Sequence, residues 1–560
     1  MPKLQFRVLY RQFLFRMVDL EVLSASAQGD SNRLLGQCAA LLVFLGWVQS
    51  LGALLLNPAL MTPYQFLIAM WKQEHSLIAE TMVVVGLFTV LSWDSMFPDR
   101  RDVHVLAPLP VRPRMVFLAK LAALAVALSL TVTTLNAFSG LSWPFRFTQG
   151  ASGLTGSLRS LAAYWLTVFA AGGFVFGGVL TVQGLAAQLP RPLFLRLSSF
   201  LQIAAFGLFL GVYLLEPPVF TPRGFADPHN QQLLAWLPSY WFFGLFHALN
   251  GSMRPVFTPL AERALAGLAI ALFGAASAFL LAYFRTLRRI VEEPDILPGR
   301  RGIRWLPRFG NALQTAIVQF SIRSLLRSRQ HRVILAFYLG IWFAVVAIGW
   351  QGSHNRQQLA MGEMVASGLG LCFLVWGARV VMTMPLDLRA NWIFRVTAVY
   401  PAPACLSASR RSLFVIAVLP PCAASIIAFL STGPARLAFA HAVVLWIFGA
   451  ILVDICLYGF HKIPFTCSYL PGKMHLHLAF FIGFGMLLLV VWLVQYELQS
   501  LTGPAAYVRM IAVLALAAAA ARWSTAASVK DEDVSVQFEE ALEPAVQLLG
   551  LTRDGVTVLP

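Results

Sequence analysis

The chain has 560 residues, 58% of them hydrophobic and only 12% charged, with a net charge of +17 and a mean hydropathy of +0.71. A soluble chain of this length needs about a quarter of its residues charged to cover its surface, which excludes a water-soluble globular protein. The cations are spread over several loops between apolar runs, and no aromatic-basic recognition module is present. That argues against nucleic acid as a partner and for anionic lipid.

In chain order, Met1 to Arg33 is basic and mixed, without the short apolar core and small-residue cleavage site of a secretory signal. Phe6, Leu9, Phe13 and Met17 recur there at helical spacing among Arg7, Arg11 and Arg16. This predicts either a basic helix lying in the headgroup plane or ordinary juxtamembrane charge. Apolar runs follow at 34–56, 76–94, 115–140, 160–187, 193–215 and 259–284, then at 333–350, 364–384, 412–431, 437–460, 478–495 and 507–523. Each approaches the roughly 20 residues that cross a bilayer. The runs are continuous rather than alternating, so they are read as helices and not barrel strands. The run at 160–187 exceeds one perpendicular crossing and is expected to tilt or to project into the cytoplasm.

The order of features recurs. Gln12-Phe13-Leu14-Phe15-Arg16 precedes the first run, and Gln319-Phe320-Ser321-Ile322-Arg323 precedes the seventh. Met96-Phe97-Pro98-Asp99-Arg100-Arg101 closes the second run, and Met384-Pro385-Leu386-Asp387-Leu388-Arg389 closes the eighth. Each then enters a basic, proline-containing stretch. The expected fold is therefore an all-α, polytopic transmembrane helical bundle of about twelve spans, arranged as two parallel six-span repeats. The units are 1–290 and 311–525, joined by a cytoplasmic linker at 291–310 and followed by an acidic cytoplasmic tail at 526–560. Lys and Arg concentrate in loops on one side, around Arg101, Arg191, Arg389 and Lys462. By the positive-inside rule both termini are cytoplasmic and the chain is a multi-pass protein of the cytoplasmic (inner) membrane.

Several residues invite chemistry. Asp99 to Arg114 carries charges and three closely spaced prolines just after a span, which is either a surface for a soluble partner or a solvated loop. Asp454 and Arg379 each fall about 8–9 Å inside the inner boundary of their spans at 1.5 Å per residue. Pairing would offset part of their burial cost, whereas the alternative is separate solutions by snorkelling or a wet cavity. Glu74, His75 and Glu80 gather at an outer edge without a nucleophile or metal pattern to complete them. His461, Cys467, His475 and His477 fit no standard zinc spacing. The six cysteines include no Cys-x-x-Cys pair.

The region between the second and third runs resembles a known family. Asp102-Val103-His104-Val105-Leu106-Ala107-Pro108-Leu109-Pro110-Val111, then Phe117-Leu118-Ala119-Lys120, is similar to the segment before the third span of type-two ABC exporter permeases. Leu237-Pro238-Ser239-Tyr240-Trp241 resembles the external motif before that family's last span. The resemblance covers the first half. In the second half Tyr400-Pro401 stands where the Leu-Pro-Val would be. The resemblance implies a fused pair of six-span permeases. It also implies that Asp99, Arg101, Asp102, Leu109, Pro110, Arg112 and Arg114, with Asp387 and Arg389, contact a separate ABC ATPase subunit. No Gly-x-x-x-x-Gly-Lys-Ser/Thr cradle occurs in the chain, so ATP is expected on that partner, with no cofactor, catalytic residue or metal here. An integral membrane enzyme acting on lipid or glycan, and a non-transporting assembly factor, are the other readings. The orientation is checked by introducing cysteines into a cysteine-free chain. Positions 101 and 389 should resist a membrane-impermeant thiol reagent in intact cells and react after permeabilisation.

Overall fold

Among the described residues the chain folds into helices and turns, with no strand. The computed structural model describes residues 2–18, 31–54, 60–97, 106, 109, 111–142, 153–217, 219–252, 254–292, 307–351, 356–384, 386, 402–432, 434–460, 462–466, 476–501 and 503–529. Among these residues eight helices are long and apolar enough to cross a membrane, and three further apolar helices are shorter, at Cys38–Ser50, Phe200–Leu215 and His331–Phe343. The expected linker and acidic tail fall mainly outside the described residues. The chain divides into two compact units, built on Met1–Pro298 and Gly299–Val546.

The first unit opens with α1 (Pro2–Val18), followed by α2 (Ser31–Leu54), α3 (Pro63–Leu91), α4 (Pro113–Leu135), α5 (Leu154–Ala186) and α6 (Arg191–Leu215). Three short helices follow: α7 (Pro222–Ala226), α8 (Pro228–Leu234) and α9 (Pro238–Leu249). The long α10 (Phe257–Glu292) closes the unit. Proline starts α3, α4 and α9, where its fixed φ suits the first helical position and its missing N–H costs nothing. At α3 a capping box completes the start: Thr62 accepts from the Gln65 N–H and the Gln65 side chain returns to the Thr62 N–H. The long fourth run is one continuous helix of 33 residues beginning at Leu154, earlier than its apolar run suggests. That is about 50 Å, well beyond a hydrocarbon core of about 30 Å.

α1 packs along α4. Leu9, Phe13, Leu14 and Met17 are buried, while Lys3, Arg7 and Arg11 stay exposed. The amphipathic face expected to lie among headgroups is thus largely covered by protein. α5 and α10 meet closely through small residues. A Cβ at Gly184 would stand 2.7 Å from the Ala278 Cβ, and one at Gly177 would stand 3.0 Å from the Ala271 carbonyl oxygen. These contacts recur two helical turns apart, so both backbones approach at the same register.

The second unit contains α11 (Ala312–Arg327), α12 (Arg329–Gln351), α13 (Arg356–Met382), α14 (Ala402–Leu413), α15 (Leu419–Thr432), α16 (Ala435–Cys456), α17 (Leu476–Ser500) and α18 (Pro504–Ala527). Asn311 and Gln314 form a capping box on α11, which packs on α14. α14 and α15 are one rod joined by a wider π turn at Phe414–Val418. Pro420 and Pro421 follow that turn. Their missing N–H groups free the carbonyls one turn back and their rings crowd them, and widening the turn accommodates this.

The close approach of α5 and α10 gives a stability test. Gly184→Leu should lower the thermal midpoint of the detergent-extracted protein by several degrees, since overpacking a tight contact costs about 1–3 kcal/mol. A Cβ at Gly178 meets nothing within 4 Å, so Gly178→Leu is the matched control and should leave the midpoint in place.

Candidate functional site

Of the residues expected to contact an ATPase, Leu109, Arg112 and Arg114 lie within the described structure. Asp99, Arg101, Asp102, Pro110, Asp387 and Arg389 lie outside it. The Leu109 N–H donates to the Leu106 carbonyl and the Val111 N–H to the Leu109 carbonyl, so the chain turns tightly before α4. Arg112 is the N-cap of α4 and Arg114 lies in its first turn, and both side chains are exposed. The ground beneath them is fixed by buried polar contacts. Lys120 donates from Nζ to the Phe97 carbonyl at 2.7 Å, and its ammonium lies 5.3 Å from the centroid of the Phe13 ring. Ser92 Oγ donates to the Met17 carbonyl at 2.9 Å. Through Phe13 and Met17 these bonds hold α1 to the ends of α3 and α4.

Asp454 does not meet Arg379 as expected; it is held by Arg410. Arg410 Nε donates to Asp454 Oδ1 at 2.6 Å and Nη2 donates to Oδ2 at 3.1 Å, a two-pronged match of guanidinium to carboxylate. Arg379 Nε donates to the Cys456 carbonyl at 2.7 Å, and its guanidinium lies 4.4 Å from the centroid of the Phe460 ring. It therefore caps the end of α16, where a cation also suits the helix dipole. The reason for the exchange is the start of α14. The ninth span was expected from residue 412, but its helix begins at Ala402, which carries Arg410 inward to the depth of Asp454.

Near the short helices of the first unit, two acid–histidine pairs sit in an aromatic shell. His247 Nε2 stands 2.9 Å from Glu74 Oε2, both fully buried, in an approach not aligned for a hydrogen bond. His75 Nε2 stands 3.5 Å from Glu216 Oε2, and the Ser239 hydroxyl donates to the other Glu216 oxygen. Burial pushes the Glu216 carboxyl up to about 7, against the pull of the Ser239 hydroxyl. Trp71 meets Phe225, Phe243, Phe257 and His247 edge to face, and Arg254 lies over its indole. Sequence reading placed Glu74 and His75 together. It missed Glu216 and His247, which lie far along the chain on other elements. A second buried network joins Tyr164, whose hydroxyl is 2.6 Å from Asn136 Oδ1, and Thr81, which accepts from Asn136 Nδ2 at 3.1 Å.

The second unit holds Ser367, His441 and Glu497 in a line, none of them singled out by the sequence. Ser367 Oγ is 2.6 Å from His441 Nε2, and His441 Nδ1 is 3.0 and 3.1 Å from the two Glu497 oxygens. These residues come from α13, α16 and α17 and lie 74 and 56 positions apart, so no local pattern could reveal them. Among the described residues no three His, Cys, Asp or Glu side chains form a group that could hold a metal ion. Comparison with protein-family models, with curated proteins and with solved structures finds no match for this chain.

The Arg410–Asp454 pair is tested by charge exchange. Removing one partner of a buried pair costs about 3–5 kcal/mol, so Asp454→Asn and Arg410→Ala should each lower the thermal midpoint by several degrees. The double exchange Arg410→Asp with Asp454→Arg should recover part of that loss. The exchange of Asp454 with Arg379 should recover none.

Proposed function

We propose that the chain is the transmembrane permease of an ATP-driven export complex, coupling a separate ATPase to movement of a substrate across the cytoplasmic membrane. The observation that carries this reading is a parallel set of packings in the two units. In each, a short leading helix rests on the helix that follows the second apolar segment: α1 on α4, and α11 on α14. In each, the second apolar helix packs on the fourth and fifth, α3 on α5 and α6, and α13 on α16 and α17. In each, the fourth packs on the last, α5 on α10 and α16 on α18. This agreement supports a twelve-span reading as two six-span repeats, with the inner ends at the basic loops. Repeated membrane units of this kind form a pathway that opens alternately when one part moves against another.

The energy then has to enter through the inner surface. Exposed Arg112 and Arg114, at the start of a helix braced by α1, offer a rigid cationic handle for an acidic or polar surface on the ATPase. Motion pressed on that handle passes directly to α4 and, through Met17 and Ser92, to α3. Purification of the intact chain from its native membranes should bring down an ATP-hydrolysing subunit. Arg112→Glu combined with Arg114→Glu should cut ATP-dependent transport by the reconstituted complex at least tenfold while the permease still inserts and folds. Undiminished association and transport in that variant would reduce the segment to a topological loop.

A further inference from the structure

We propose that the second unit carries a serine-esterase site, with Ser367 as nucleophile, His441 as general base and Glu497 as the group that positions the histidine, acting on acyl esters of membrane lipids. The inference stands independently of the transport reading. It rests on the order of the three groups, which gives each atom the role that acyl transfer requires. The Ser367 hydroxyl lies 2.6 Å from Nε2, within reach for proton transfer, and the carboxylate of Glu497 faces the opposite ring nitrogen at 3.0 Å. With Nδ1–H held by the carboxylate, Nε2 is the lone-pair nitrogen that faces Oγ. Ser367 Oγ also lies 2.8 Å from the Met364 carbonyl, so its proton has two acceptors and turns between them by rotation about the Cβ–Oγ bond.

Burial differs along the line in the direction catalysis needs. Glu497 and His441 are sealed, at 0% and 1% exposure, whereas Ser367 keeps 9%. The reactive end is therefore the least enclosed of the three. Depth selects the substrate class. Ser367 lies seven residues past the start of the apolar span at Ala360, His441 six past the start of α16, and Glu497 three before the end of α17. At 1.5 Å per residue these are about 10, 9 and 5 Å from the ends of their helices, which in the twelve-span reading lie on the same side of the membrane. The spans at Ala360–Met382 and Ala435–Cys456 are about 33–35 Å long, close to a hydrocarbon core of about 30 Å, so the hydroxyl lies in the outer third of the core, on the acyl-chain side of the glycerolipid ester carbonyls.

The reaction balances with water as the only co-substrate. Ser367 Oγ bonds to the ester carbonyl carbon as its proton passes to Nε2. The acyl carbon–oxygen bond then breaks, and the departing alcohol takes that proton, leaving acyl-Ser367. Water attacks the acyl group, giving up a proton to Nε2. The fatty acid leaves, and the proton returns to Oγ. Glu497 touches no reacting atom and stabilises the imidazolium formed in each half.

A fluorophosphonate bearing a long alkyl chain provides the test, applied to membranes containing the full chain. Peptide mapping by mass spectrometry should find the phosphonyl adduct on Ser367 of the unaltered protein, a measurement that needs no variant. Ser367→Ala should abolish the adduct and His441→Gln should slow it at least tenfold. Glu497→Gln should slow it similarly, with Glu497→Asp recovering much of the rate. Hydrolysis of a medium-chain p-nitrophenyl ester by the protein in liposomes should follow the same order. Absence of an adduct at Ser367 in folded, monodisperse wild-type protein overturns the proposal and leaves the three residues as a helix brace.

Discussion

A polar side chain carried into a bundle of apolar helices has no bulk water to satisfy it, so it must find its partner on another helix, and this constraint sets the packing of both units. Asp454 is the sharpest case. A lone carboxylate there would be costly, and the two prongs of Arg410 fix α14 against α16 while Thr525 Oγ1 adds α18 by donating to the Asp454 carbonyl. In the first unit Gln202 Nε2 ties α6 to the Val90 carbonyl of α3, and Trp93 Nε1 donates to Ser198 Oγ. Hydrophobic contact alone distinguishes poorly between one apolar face and another when lipid tails are equally apolar. Such bonds specify which helices meet and at what depth.

The same logic applies in the first unit where α1 packs on the start of α4. Leu9, Phe13, Leu14 and Met17 of α1 are buried. Lys120 is buried beneath it and would be prohibitive there without the Phe97 carbonyl and the face of Phe13. The outcome is a helix, a turn and the start of a span tied together by these contacts, with Arg112 and Arg114 exposed beside them.

Much of the helical layout was legible because hydropathy is a local signal. The apolar runs around α3, α4, α5, α10, α16 and α18 each hold a long apolar helix, and the amphipathic spacing of Phe6, Leu9, Phe13 and Met17 marks a helix. Ends were less legible. α14 begins among polar and basic residues that read as loop, because Pro401 and Pro403 favour a helix start and packing on α11 stabilises the turns after it. That single misplaced boundary hid the partner of Asp454. The short helices α7 to α9 were also hidden, since proline-led turns of five to twelve residues leave little periodicity to detect. Sites assembled across helices were not legible at all. His441 and Glu497 look like isolated polar residues in their own segments, and only the packing of α13, α16 and α17 shows that they face each other.

The two units resolve the same problem at their far ends in different ways. In the first, three short helices stand between α6 and α10; Glu74 of α3 pairs with His247 of α9, and His75 of α3 with Glu216 at the C-terminal end of α6. In the second, α17 ends at Ser500 and α18 begins at Pro504, leaving a turn with no room for such a cap. There the polar groups pair inward, span to span, as Ser367, His441 and Glu497. A cap lets polar residues be sealed by a separate element that can lift away without parting the spans. Among the described residues direct pairing leaves the spans themselves as the cover, so parting α13, α16 and α17 there would break the Ser367–His441–Glu497 line. The two units therefore differ at these ends in what encloses their buried polar groups, short helices in the first and the spans in the second.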